Sequence, residues 1–181
     1  SGHGGVDAGA TGNQIIEKDL NLILTRKLEK ELVSRGATVY LTREDDKDLS
    51  TTTVNRKRSD LYNRAKYINK ISPNMYISIH LNSVTNSSWR GLQVFYTTKS
   101  EENKLIAETI TNHLRKNMSN VREIKKDNTY YMYKHITSPG VLIEAGFISN
   151  SNDSYLLRNK EYQDKLISSI SDSIEIYFQK K

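Results

Sequence analysis

The sequence predicts an α/β layer fold with a mostly parallel sheet, on three observations. Segments with apolar residues at three- and four-residue spacing alternate with short apolar runs. The run GVLIEAGF, 140–147, is continuously apolar around one acid, as in strands buried on both faces. The 181 residues contain no repeat and no Pro- or Ser-rich linker, so the chain is read as one domain large enough to bury a core.

The elements follow in order. EKDLNLILTRKLEKELVSRG, 17–36, reads as a helix. Leu20, Ile23, Leu24, Leu28 and Leu32 fall at helical spacing, and Gly36 is placed to end it. ATVYLTR, 37–43, reads as a strand, followed by a polar loop. NRKRSDLYNRAKYINKI, 55–71, is a second helix with Leu61, Ala65 and Ile68 on one face, closed by Ser72-Pro73. MYISIHL, 75–81, and GLQVFYT, 91–97, are strands. SEENKLIAETITNHLRKNM, 100–118, is a third helix with Ser100 as N-cap. YYMYKH, 130–135, is open between strand and loop. GVLIEAGF is a buried strand, and EYQDKLISSISDSIEIYF, 161–178, is the closing helix.

Composition narrows the chemistry. With no cysteine, disulfides, thiolate catalysis and cysteine zinc sites are excluded. The net charge of +6 favours an anionic partner: nucleic acid, a membrane surface or a wall polymer. The Lys and Arg residues are spread along the chain, as on solvated helix faces. No basic cluster is interleaved with aromatics, so nucleic acid is not expected. No apolar run is long enough to span a bilayer, and an integral membrane segment is not expected.

The chain opens with SGHGGVDAGATG, five glycines in twelve residues around His3. Glycine at that density suits a backbone that turns tightly or passes close to something bound. A P-loop would end in Gly-Lys-Ser/Thr and a dinucleotide fingerprint would keep its third glycine; this loop has neither. It leads to Glu17, at the start of a helix. Glu17 or Asp19 would complement the helix dipole. They lie about 200° apart around the axis, so one alone can face a given site.

In open α/β sheets, sites form at the carboxyl ends of strands. His80 and Glu144 end the apolar strands there, beside the His3 loop. His80 by itself suits a hydrogen-bonded structural histidine. Two imidazoles and a carboxylate at one sheet edge, however, make the His₂Glu set of a catalytic zinc site with one open position. His113, on a Lys- and Asn-rich helix, is expected to be solvated. His135, near Glu144, is placed to approach substrate. A carboxylate at the end of VLI is costly to bury without compensation. Either Arg64 or Arg122 pairs with Glu144, or it is a general base beside a metal, tuned by apolar surroundings and a nearby cation.

These stretches resemble, in order, the motifs of the zinc-dependent N-acetylmuramoyl-L-alanine amidases of the Amidase_3 family, which trim bacterial peptidoglycan. GHGGVDAGATG with EKDLNL resembles the family's first metal loop and the helix carrying its acidic ligand. RAKYIN with MYISIHLNS resembles its Arg-to-Asn helix and the strand ending in the second histidine ligand. SPGVLIEAGFISN resembles the segment with the catalytic glutamate. The resemblance implies that His3, Glu17 and His80 bind Zn2+. It implies that Glu144 activates water and passes the proton to the leaving nitrogen. Asn82 would stand behind the ligands or contact substrate, and Arg64 would form a structural ion pair. The implied fold is a central, mainly parallel sheet of about six strands with helices on both faces, residues 1–181 forming one catalytic domain. The implied reaction is hydrolysis of the amide joining the lactyl group of N-acetylmuramic acid to L-alanine.

The sequence also departs from the family pattern. An apolar strand and an Asp-Pro pair normally precede Gly-His-Gly-Gly; here Ser1 and Gly2 stand alone. A first strand is therefore expected before residue 1, with a signal or anchor trimmed from the segment. No long insertion follows GLQVFYT, where self-blocked members carry a helix. An open site is expected, or control by an activating partner protein or a homodimer. YYMYKHITSPGVLIEAGFISN looks most like the sporulation branch, which strips stem peptides so that spore cortex can carry muramic lactam. That places the protein outside the cytoplasm, in the cell envelope or the forespore intermembrane space. The alternative is a non-catalytic or partner-activated wall-binding domain on the same fold. A non-catalytic domain would need a broken ligand set, and all the positions are filled.

Overall fold

The computed structural model describes residues 1–181. In chain order the elements are β1 (Thr11–Gly12), β2 (Ile15–Ile16), α1 (Glu17–Ser34), α2 (Arg56–Ile71), β3 (Tyr76–Asn82) and β4 (Gln93–Tyr96). Then follow α3 (Glu101–Asn117), β5 (Lys125–Lys126), α4 (Tyr131–His135), β6 (Gly140–Phe147), α5 (Ser151–Arg158) and α6 (Lys160–Gln179). The central sheet has four strands in the order β3-β6-β4-β5. It is parallel at β3–β6 and β4–β5 and antiparallel at β4–β6. β1 and β2 form a small separate hairpin that leads into α1. The α/β class and the mixed sheet thus hold. The central sheet has four strands and not the expected six or so, because β1 and β2 pair only with each other.

Helices cover both faces. On one, α1, α3 and α6 pack over Ile79, Leu81, Val94, Val141, Ile143 and Ala145 in a 23-residue core. On the other, Ala65 and Ile68 of α2 meet Tyr76, Phe95 and Leu142 of the sheet, with Tyr133 of α4. Strand alternation sorts the residues. Val141, Ile143 and Ala145 face the large core, so Leu142 and Glu144 face α2 and α4. Ile79 and Leu81 likewise turn Ser78, His80 and Asn82 to that same second face. Leu166 and Ile170 of α6 are almost wholly buried. Each such side chain contributes about 1.5–3 kcal/mol of burial.

The helix ends follow from local chemistry. Ser100 Oγ accepts the Glu102 N–H and caps α3, and Asn159 Oδ1 accepts the Tyr162 N–H and caps α6. α1 closes on Gly36 at φ +89°, with Gly36 N–H donating to Val33 O and Ala37 N–H to Leu32 O. That bond pair is the Schellman stop, and it favours glycine for its left-handed backbone.

Two segments differ from the sequence expectation, and a third, 151–158, had none. Residues 37–43 are not a strand. Val39 and Leu41 turn inward while Thr38 and Tyr40 stay exposed, so the alternation is present. No backbone–backbone hydrogen bond forms there beyond Ala37, however, and a strand without a ladder partner is only extended chain. YYMYKH is neither strand nor loop; its last five residues form α4. SNDSYLLR forms α5, capped by Asn150 Oδ1, which accepts the Asn152 and Asp153 N–H groups. No helix is long and apolar enough to cross a membrane.

Candidate metal centre

The glycine loop folds back over the carboxyl end of β3. Gly2 N–H donates to Ile79 O, at 2.9 Å. A Cβ on Gly2 would lie 2.2 Å from His80 Cε1. Gly9 has φ +67°, and a Cβ there would lie 2.5 Å from Glu17 Oε2 and 2.8 Å from His3 Cδ2. The glycines therefore let the backbone pass against three functional side chains, which answers for their density.

Those side chains converge. His3 Nε2 and His80 Nδ1 each stand 3.1 Å from Glu17 Oε1. The three ligand-type atoms lie within 4.8 Å of one another. Glu17 is buried at 4% exposure, whereas Asp19 on the same turn faces solvent. Ala10 N–H donates to Glu17 Oε2 and Leu81 N–H to Oε1, which fixes the carboxylate plane. His3 Nδ1 is 2.9 Å from Asp7 Oδ2. This second carboxylate sets the ring's orientation and leaves Nε2 for the cluster. Sequence reasoning passed over Asp7. Its signal was present in the spacing His3-x-x-x-Asp7 within a tight loop.

Charge follows position. Burial would raise the Glu17 carboxyl, but its hydrogen bonds to the two imidazoles hold it well below the usual carboxylate range. Burial pulls the His3 imidazole down, yet Glu17 and then Asp7 more than offset this and leave it above its ordinary value. For His80 burial wins over Glu17 and the ring is lowered.

Glu144 occupies the same cavity, of about 430 Å³, as the cluster. It is β3–β6 register partner to His80 and is 6% exposed. Neither Arg64 nor Arg122 pairs with it. Arg122 stacks on Trp89, 4.5 Å from the ring centre. Arg64 binds Asp60 Oδ2 at 2.8 Å and donates to the carbonyls of Ser1 and His3, both at 2.8 Å. Arg64 is thus a buried ion pair that holds the ligand loop. Glu144 Oε2 has no hydrogen-bond partner. Burial, reinforced by the Glu17 charge and partly offset by His3, pushes the Glu144 carboxyl up to about 8.

The other candidates are placed as follows. Asn82 lines the cavity, and its carbonyl accepts the Ile148 N–H. His135 is exposed, its ring 4.5 Å from that of Tyr131, outside the cavity that holds Glu144. His113 is half-buried rather than solvated, with Nε2 at 3.4 Å from Asp172 of α6. Tyr130, Tyr131 and Tyr133 wall the cavity. They come from the segment that sequence left open between strand and loop.

A mixed α/β sheet with a His–Glu–His cluster at its edge and an uncompensated acid beside it has the layout of a hydrolase. A family model described as Amidase_3, N-acetylmuramoyl-L-alanine amidase, matches residues 1–176. The chain belongs to this family and is a cell-wall amidase cleaving N-acetylmuramoyl-L-alanine. It is 42% identical to the germination-specific N-acetylmuramoyl-L-alanine amidase of Bacillus subtilis, over 99% of this chain and 78% of that one. The CwlD amidase of Clostridioides difficile, solved in complex with the GerS lipoprotein, superposes with a TM-score of 0.94. Its identity is 36%, over 99% of this chain and 96% of that one. The catalytic domain of CwlV, an N-acetylmuramoyl-L-alanine amidase from Bacillus (Paenibacillus) polymyxa, gives a TM-score of 0.86. There the identity is 29%, over 99% and 96% of the two chains.

Proposed function

We propose that residues 1–181 form the catalytic domain of a zinc amidase, with the ion held by His3, Glu17 and His80 and with Glu144 moving the proton. One observation carries this reading: three ligand atoms converge within 4.8 Å in the same cavity as a buried carboxylate oxygen without a partner. The donor set suits the ion. Two imidazoles and one carboxylate are the ligands of many catalytic zinc sites, and they leave a fourth corner free.

When bound, zinc polarises a carbonyl oxygen and acidifies water. The chain's own residues supply the rest. Asp7 keeps the His3 ring turned toward the cluster, and the Ala10 and Leu81 N–H groups hold Glu17 in place. Glu144, in its ionised form, takes the proton of the attacking water and returns it to the nitrogen of the departing L-alanine. Burial holds its carboxyl high, and a cation nearby would favour the ionised form that the first step needs. Tyr130 and Tyr133 line one side of the cavity.

The likeness to a germination-specific amidase supports action on spore cortex, where removal of stem peptides frees muramic acid for lactam formation. It also supports a place outside the cytoplasm. The complex of the CwlD relative with a lipoprotein supports regulation by a partner protein. The test is metal analysis by mass spectrometry together with muropeptide digestion by wild type and Glu144→Gln. Wild type should carry one zinc and release stem peptides; Glu144→Gln should keep the zinc and release none. An active Glu144→Gln enzyme, or a wild type active without any divalent ion, would sink the mechanism.

A further inference from the structure

Beside the cavity runs a groove lined by Arg56, Lys57, Arg58, Tyr131, Lys134 and His135, together with Asn55 and Leu61, and by no acid. Lys57, Leu61 and Tyr131 line both spaces, so the two adjoin. Two of the cations are satisfied by carboxylates: Arg56 by Asp48 at 2.8 Å, Lys57 by Asp7 at 3.4 Å. Arg58 and Lys134 form no ion pair. Arg58 instead lies over the Tyr131 ring, 5.6 Å from its centre, and His135 packs on that ring at 4.5 Å. Aromatic support positions a guanidinium without neutralising it.

The placement is locally unfavourable. The first turn of α2 carries Arg56, Lys57 and Arg58 and no acid. Cations there oppose the helix dipole and repel one another. Asp48 and Asp7 offset this for Arg56 and Lys57, whereas Arg58 has no carboxylate partner, and a local rule broken there points to a role outside folding.

We propose that this groove is the subsite for the peptide half of the substrate, with Arg58 and Lys134 binding its free carboxylates. The inference rests on the amidase reading. Substrate chemistry selects the half. The lactyl carboxyl of N-acetylmuramic acid is consumed in the scissile amide, so the sugar presents no charge to the groove. The peptide keeps a terminal carboxylate and those of any acidic residue. A substrate with its amide at Glu144 can extend past Leu61 and Tyr131 into the cationic groove. Arg58 and Lys134 then select substrate without touching the reacting atoms.

The experiment compares steady-state kinetics on two N-acetylmuramoyl peptides, identical except that one has its carboxylates amidated. Wild type should show a lower KM for the free acid, and the gap should close with added salt. The double variant Arg58→Gln/Lys134→Gln should raise KM for the free acid about three- to tenfold, as exposed ion pairs allow, and leave kcat within about twofold. Its kinetics on the amidated substrate should be unchanged, which a misfolded variant would not show. Arg58→Lys, with Lys134 retained, should keep most of the preference. Equal KM values for the two substrates in wild type, or a variant that weakens both alike, would overturn the groove assignment alone. A wild type that cleaves neither substrate would overturn the amidase reading, and this one with it.

Discussion

His80 and Glu144 are paired in register across the parallel β3–β6 ladder, and strand alternation turns both to the face covered by α2 and α4. A ligand-type imidazole and an unpartnered carboxyl are therefore fixed as neighbours by the sheet itself, not by mobile loops. Replacing Glu144 with Gln preserves the shape and removes the proton acceptor. Turnover should fall about a hundred- to ten-thousandfold with zinc content unchanged, measured by muropeptide release and by mass spectrometry.

The same residue gives the metal-free protein a pH signature. Its carboxyl is raised to about 8 in the fold, chiefly by burial, from 4.5. Between those values the folded state holds a proton that the unfolded state has released. Stability from this group is thus fully present below about 4.5 and is lost as pH rises toward 8. Urea unfolding in chelator should show wild type losing stability relative to Glu144→Gln across that window. A constant difference between the two would show that Glu144 is ionised in the fold.

Asp7 provides a test of ligand orientation. Both imidazoles meet Glu17, but His3 alone is also held by a second carboxylate, Asp7, through Nδ1. Asp7→Asn should weaken zinc binding about ten- to a hundredfold and regain activity in excess zinc. His80→Ala should lose the metal at any attainable concentration. Competition with a chromophoric chelator measures both.

Much of this site was legible because its residues sit where chain geometry is predictable. His80 and Glu144 each end an apolar strand, Glu17 starts a periodic helix, and His3 lies among glycines. The helices α1, α3 and α6 were readable to within two residues at each end, from their apolar spacing and, for α3, its Ser100 cap. What escaped depends on tertiary partners. Residues 37–43 alternate like a strand, but pairing requires a second chain segment that no local pattern reports. The five-residue α4 is too short for periodicity and is held by Tyr133 and Ile136 packing under α2. Asp7 acts through a loop contact, which spacing alone suggests only weakly.

Two glycines separate backbone strain from site geometry. Gly36 and Gly9 both have left-handed φ, at +89° and +67°. A Cβ on Gly36 meets nothing within 4 Å, while one on Gly9 collides with Glu17 and His3. Gly36→Ala should cost about 1 kcal/mol of stability and leave zinc affinity alone. Gly9→Ala should carry a similar backbone penalty and also lower zinc affinity at least tenfold. Urea melts and chelator competition on the same samples distinguish the two.

Arg64 joins stability to the ligand loop. It is 3% exposed, paired with Asp60, and donates to the carbonyls of Ser1 and His3. Arg64→Met would strand the Asp60 charge, and breaking a buried pair from one side costs about 3–5 kcal/mol. Arg64→Lys should recover only part, because an ammonium cannot reproduce the planar fork that spans a carboxylate and two carbonyls. The double variant Arg64→Met/Asp60→Leu removes both charges and should regain much of the lost stability. It should not regain zinc affinity, since the His3 carbonyl still lacks its donor. If zinc affinity returned together with stability, Arg64 would be supporting the fold at large and not the loop that carries His3.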